Sequence, residues 1–93
     1  MSVAVIRLTR LDRAVVAVVA RWDRCTDGPC TASKIAGELS ARINDRTSTT
    51  ADEVYGILVG YQHLNILCRD GRCWRPIDSD RCERVLDAGA IVP

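Results

Sequence analysis

Apolar positions recur along most of this chain with the period of an α-helix. The clearest stripe lies at Val54, Ile57, Leu58, Tyr61 and Leu64. Such a stripe places one face of a helix in a core. Thr50 and Glu53 have the spacing of a capping box, in which the Thr hydroxyl accepts from the backbone N–H three residues on. The pattern predicts a helix that starts at Thr50 and ends near Asn65, a residue that tolerates the left-handed conformation found at many helix ends.

A tight hairpin is predicted directly after this helix. Two short runs, Ile66 to Arg69 and Arg72 to Arg75, flank the dipeptide Asp70-Gly71. Asp-Gly between two such runs indicates a two-residue turn of type I′. Pro76 then removes a backbone donor and ends the second strand.

A long helix is predicted near the start of the chain. Its apolar seam, with alternating three- and four-residue spacing, consists of Leu8, Leu11, Val15, Val18 and Trp22. This spacing predicts a helix from about Thr9 to Asp23. The middle is apolar around most of its circumference, so we expect two buried faces, one in the core and one against a partner. A buried β-strand is the alternative, because four valines favour a sheet.

Two more helices complete the predicted elements. A turn is expected at Asp27-Gly28-Pro29, and Thr31 then caps a helix whose apolar residues are Ile35, Ala36, Leu39 and Ile43. The polar segment 44–50 separates this helix from the next. After the hairpin, Asp78 to Ala88 is predicted to form a short helix with Cys82, Val85 and Leu86 facing inward.

The order of these elements resembles the winged helix-turn-helix superfamily of transcriptional regulators, over about Leu8 to Ile77. TASKIAGEL is similar to the first helix of the helix-turn-helix, TADEVYGILVGYQHLNIL to the second, and CRDGRCWRP to the wing. We therefore expect a mainly α fold with a small antiparallel β hairpin (α+β), as a single domain over 1–93. The helix-turn-helix would cover about 31–65 and the wing about 66–76.

The resemblance implies binding to double-stranded DNA, with the third helix in the major groove and the hairpin against phosphate or the minor groove. The wing contains three arginines and one aspartate, which gives a local charge of +2. Arginines and hydroxyls at a hairpin tip and a helix end are suited to phosphate. The candidate DNA contacts are Lys34, Arg42, Arg46, Thr47, Ser48, Thr49, Tyr55, Gln62, Arg69, Arg72 and Arg75.

Other residues favour a different use of the same fold. Asp52 lies at the start of the third helix, where it would repel a polyanion, and Gln62 is the one obvious base-reading amide on the outward positions. Gly56 and Gly60 each cost that helix about 0.8–1 kcal/mol relative to Ala, so they need a packing reason. That reason is packing against the alanines of the first helix, or an external interface. In the second case the protein is a winged-helix module that binds another protein, through an exposed patch of Tyr55, Gly56 and Val59.

Composition limits the class of protein further. The chain has 93 residues, 47% of them hydrophobic and 27% charged, with a net charge of +1. The longest apolar run, Ala14 to Ala20, is far shorter than the roughly 20 residues that span a bilayer, and the N-terminus does not read as a secretory signal. We expect a cytoplasmic protein. A homodimer is also expected, through Leu11, Val15, Val16, Val19, Val85 and Leu86.

The cysteines form two C-x4-C units, Cys25 with Cys30 and Cys68 with Cys73. They bind zinc only if the two units meet, which the short extended piece near Cys30 would permit by lying beside the wing. A type I′ turn would place Cys68 directly opposite Cys73, close enough for a disulfide. The main interpretation is small buried hydrophobes with no cofactor. A zinc- or redox-responsive regulator is the alternative.

The sequence gives little support for catalytic activity. His63 is the only histidine, and no nucleophile is paired with it. The chain contains neither a glycine-rich phosphate loop nor a GxSxG motif. We therefore expect a protein without catalytic activity.

Overall fold

The polypeptide forms helices with two small antiparallel strand pairs in the computed structural model, which describes residues 6–25, 30–42 and 50–91, with the backbone alone at residues 25, 41 and 42. The elements in chain order are β1 (Ile6–Arg7), α1 (Arg10–Cys25), α2 (Ala32–Arg42), α3 (Ala51–His63), β2 (Leu67–Asp70), β3 (Cys73–Pro76), α4 (Ser79–Ala88) and β4 (Ala90–Ile91). The prediction of a mainly helical chain with a small antiparallel hairpin is confirmed.

Each helix begins directly after a side chain that caps it. The hydroxyls of Thr9, Thr31 and Thr50 accept hydrogen bonds from backbone N–H groups three residues on, at 3.1, 3.3 and 3.2 Å. The carboxylate of Asp78 accepts from two N–H groups of α4. These bonds satisfy donors that have no partner inside a helix, which explains why the sequence predicted the helix starts well.

Helix α1 lies at the centre of the fold and contacts α2, α3, α4 and β3. Val15, Val16 and Val19 have no exposed surface, and Val18 is 3% exposed. The valine-rich segment lies within helix α1, so the alternative of a strand is wrong. Its two apolar faces are both covered within the chain.

This burial corrects the predicted partner interface. Because Val15, Val16 and Val19 are fully buried, they have no surface to offer a second chain. Val85 is 7% exposed and belongs to the same core, while Leu11 and Leu86 are half-buried against it. The homodimer stays a prediction, but the central residues of its expected interface are buried within the protomer.

No helix within the described ranges is long and apolar enough to cross a membrane.

Polar contacts join α1 to its neighbours around this core. The Tyr61 hydroxyl donates to the Asp12 carboxylate at 3.1 Å, between α3 and α1. Burial, and then the nearby carboxylate, raise the pKa of Tyr61 above its usual value. Ion pairs Arg21–Glu38 and Arg24–Glu83 connect α1 with α2 and with α4.

The hairpin has a different register from the predicted one. Asp70 pairs with Cys73 and Cys68 pairs with Arg75, so the turn residues are Gly71 and Arg72. Of these two, only Gly71 has a positive φ, at 63°. One left-handed residue at the first turn position is the pattern of a type II′ turn, so the predicted type I′ turn at Asp70-Gly71 is wrong. Cys68 and Cys73 consequently do not face each other.

Two further backbone contacts tie distant segments together. The N–H of Trp74 donates to the carbonyl of Cys30 at 2.9 Å, which places the segment before α2 beside the hairpin as expected. Strand β1 pairs with β4, a contact that the sequence did not predict because each strand has only two residues. The predicted turn at 27–29 lies outside the described residues, as does the predicted polar segment 44–50 except for Thr50.

Candidate functional site

A cleft lies where the start of α2, the first turns of α3 and the hairpin meet. Its volume is about 360 Å³, and its walls are formed by Thr31, Ala32, Ser33, Tyr55, Arg69, Arg72 and Trp74. We call this the Arg69 cleft. Three segments far apart in sequence build it, and the Trp74–Cys30 backbone bond holds the hairpin against the start of α2.

The guanidinium of Arg69 is fixed on three sides. Its Nε donates to the carbonyl of Gly71 at 2.7 Å, and one terminal nitrogen donates to the Tyr55 hydroxyl at 3.2 Å. Its central carbon lies 5.8 Å from the centroid of the Tyr55 ring and 5.9 Å from that of Trp74, within the range of cation–π attraction. The remaining N–H groups are left for a ligand.

The two aromatic side chains have different accessibility. Trp74 is 3% exposed and forms the floor, whereas Tyr55 is 43% exposed and forms a wall. Their rings meet edge to face at a centroid distance of 6.1 Å. Because Arg69 occupies the space beside both rings, the cleft does not offer them as an open platform for stacking a base.

The first turn of α2 forms the opposite wall. Thr31 caps this helix through its hydroxyl and its carbonyl, which accept from Lys34 and Ile35. The N–H groups of Ala32 and Ser33 belong to the first turn, where helix geometry supplies no carbonyl for them. The helix dipole adds partial positive charge there. With Arg69 and Arg72 opposite, the cleft suits an oxyanion such as a phosphate.

The predicted arginine cluster is only partly brought together. Arg69 and Arg72 line the cleft. Arg75 is exposed and pairs with Cys68, which puts it on the other face of the hairpin from Arg69, since successive strand residues alternate. Lys34 and Gln62 are exposed but do not line the cleft. The side chain of Arg42, and Arg46, Thr47, Ser48 and Thr49, lie outside what the structure describes.

Among the described residues, the outer face of α3 is mostly exposed, but Val59 is half-buried against the core, so the predicted exposed patch is reduced to Tyr55 and Gly56. The residues that share this face at helical spacing are Asp52, Gly56, Val59 and His63. Within the described part of the chain, a Cβ added at Gly56 or Gly60 would meet no heavy atom within 4 Å outside the helix's own backbone. The expected packing of these glycines against the alanines of α1 is therefore wrong, because α1 lies within the described residues and does not contact them.

The four cysteines with described side chains are all free thiols. Cys30 and Cys82 are buried, and Cys68 and Cys73 are half-buried. Burial, followed by the proximity of Cys73, raises the pKa of Cys30 to about 11, the opposite of the shift that activates a thiol for metal or disulfide chemistry.

Metal-ligating side chains do not form a group of three or more within 6–25, 30–42 and 50–91. The zinc hypothesis also involves Cys25, whose side chain is outside the described atoms.

Sequence reasoning missed Thr31, Ala32, Ser33 and Trp74 as site residues. A signal existed for the first three, since Thr31 was identified as a helix cap and a helix start attracts anions. Trp74 required knowledge of which strand residues share the face of Arg69. Comparison of the chain with protein-family models, with curated proteins and with solved structures finds no match.

Proposed function

We propose that this protein binds double-stranded DNA as a winged helix-turn-helix transcriptional regulator of the cytoplasm. The observation that carries the proposal is the fixed guanidinium of Arg69, in a cleft shared with Arg72 and the start of α2. The order of three helices, a hairpin and a last helix supports the fold assignment.

The chemistry of the cleft is that of a phosphate contact. An incoming phosphate oxygen would meet N–H groups of Arg69 and the first-turn amides of α2, with Arg72 beside them. Charge-assisted bonds from a preorganised donor set are stronger than neutral ones and require little reordering. The Tyr55 hydroxyl accepts from Arg69, so its own proton is free to donate to the same anion.

A matched pair of substitutions tests this placement. Binding of random duplex DNA is measured by fluorescence anisotropy from about 50 to 200 mM salt, for the wild type, Arg72→Ala and Arg75→Ala. Loss of one phosphate contact reduces the log–log salt slope by about 0.9. We expect that reduction for Arg72→Ala only, because Arg75 lies on the other face of the same hairpin. Equal effects of both substitutions would contradict the cleft as the contact site.

A second candidate function is recognition of another protein through α3. The exposure of Tyr55, Gly56 and Gly60 favours it, because a helix face with small residues permits close approach of a partner backbone. A folded protein that fails to bind duplex DNA at about 50 mM salt would favour this candidate over the first.

A further inference from the structure

The outer face of α3 borders the Arg69 cleft, so a duplex seated in the cleft also meets this helix. Tyr55 belongs to the cleft wall, and the exposed Gly56 follows it on α3. In a DNA-bound helix, the side chains at such positions determine whether base edges are read.

Helix α3 has almost no base-reading side chain. It contains neither arginine nor lysine, and Gln62 is its single amide. Its acidic residues, Asp52 and Glu53, are both exposed. Carboxylates in the major groove can accept only from the amino groups of cytosine and adenine, and they are repelled by the phosphates on either side.

From these observations we infer that the protein binds duplex DNA without reading its base sequence. The inference rests on the proposed function and concerns the same site. Affinity would come from phosphate contacts in the Arg69 cleft, which carry no sequence information. The partner is thus double-helical DNA of many sequences, and regulation would depend on occupancy and not on one operator.

The test is selection from a randomised duplex pool, with bound and unbound fractions sequenced and relative affinities calculated for each sequence. One bidentate base contact discriminates by about 1–3 kcal/mol, which is roughly 5- to 150-fold. We expect all sequences to fall within about 5-fold of one another. Gln62→Ala should leave this distribution unchanged, and Arg72→Ala should lower every affinity by a similar factor.

The outcomes separate the two claims. Any motif enriched more than about 5-fold, the least that one base contact would give, would overturn sequence-independent binding and leave the proposed function intact. Absence of binding to any duplex at about 50 mM salt, with the protein shown to be folded by circular dichroism, would overturn both. A narrow distribution in which Gln62→Ala and Arg72→Ala behave as expected would support both.

Discussion

Arg69 has little conformational freedom to lose when a ligand arrives. A free arginine side chain carries about 2 kcal/mol of rotamer entropy, part of which a ligand must normally offset. Here Gly71 and Tyr55 accept two of its hydrogen bonds, and Trp74 lies beneath it. Although Arg69 is exposed, these contacts hold its guanidinium in place, as a preorganised anion donor requires.

Tyr55→Phe tests the contribution of this preorganisation. The substitution keeps the ring beside Arg69 but removes the hydroxyl that accepts from it. One hydrogen bond is worth about 0.5–1.5 kcal/mol net, so DNA affinity at fixed salt should fall about 2- to 10-fold. Thermal unfolding should change little, because the hydroxyl is on the surface. An unchanged affinity would mean that fixing Arg69 does not assist binding.

Substituting the glycines of α3 is predicted to increase the free energy of unfolding. Gly56→Ala and Gly60→Ala should each stabilise the protein by about 0.5–1 kcal/mol in urea unfolding, because alanine favours helix and its methyl group would clash with no described residue. Gly89→Ala is the control. Gly89 ends α4 with φ at 67°, so alanine there should destabilise. Destabilisation by the α3 substitutions would show that this face is covered.

The buried thiol of Cys30 makes stability depend on alkaline pH. Its pKa is raised from 9.0 to about 11 in the fold, so the protonated thiol is favoured there. The associated stability is complete below pH 9 and is lost as pH rises from 9 to 11, by about 2–3 kcal/mol. Urea unfolding across this range should show a smaller decline for Cys30→Ala than for the wild type. Parallel declines would place the thiol in contact with solvent.

At the scale of elements, local signals predicted the helices well and the hairpin only approximately. Capping residues and apolar periodicity act within one helix, so sequence alone identifies them. The hairpin register was predicted wrongly because the predicted and observed pairings both put Leu67 and Trp74 on the same buried face. Alternation of burial does not distinguish registers that differ by two residues. The backbone of the turn decides between them, with Gly71 alone in the left-handed region.

Local sequence patterns predict the cleft even less well than the hairpin. Arg69 and Arg72 were recognisable as candidates from the charge of the wing. Arg69 and Arg72 lie beside Thr31 because a backbone hydrogen bond joins Trp74 to Cys30, 44 residues apart in sequence. No local pattern encodes such a contact.

Val16→Ala tests whether α1 is internal. Removing two methyl groups from a fully buried valine should lower the free energy of unfolding by about 1–3 kcal/mol, through lost burial and a residual cavity. Because Val16 packs within its own chain, the loss should be the same at 2 and at about 200 μM protein. A loss that varies with protein concentration would return this residue to an interface between copies.

At the scale of the whole molecule, charge is distributed unevenly over the surface although the net charge is only +1. Two arginines and a helix N-terminus converge on one cleft, while α3 beside it presents acidic and apolar positions. Non-specific electrostatic attraction depends on where cations lie more than on their sum. A near-neutral protein can therefore hold DNA by one site, with an affinity that is sensitive to salt.

The central claim is that the Arg69 cleft receives the DNA backbone, and an NMR titration of ¹⁵N-labelled protein with a random duplex at about 50 mM salt tests it most directly. We predict progressive shifts of the amide signals of Ala32, Ser33 and Arg72 and of the Arg69 Nε–H signal, with those of Arg75 and α4 unchanged. Shifts confined to surfaces away from the cleft, or none at all, would contradict the account.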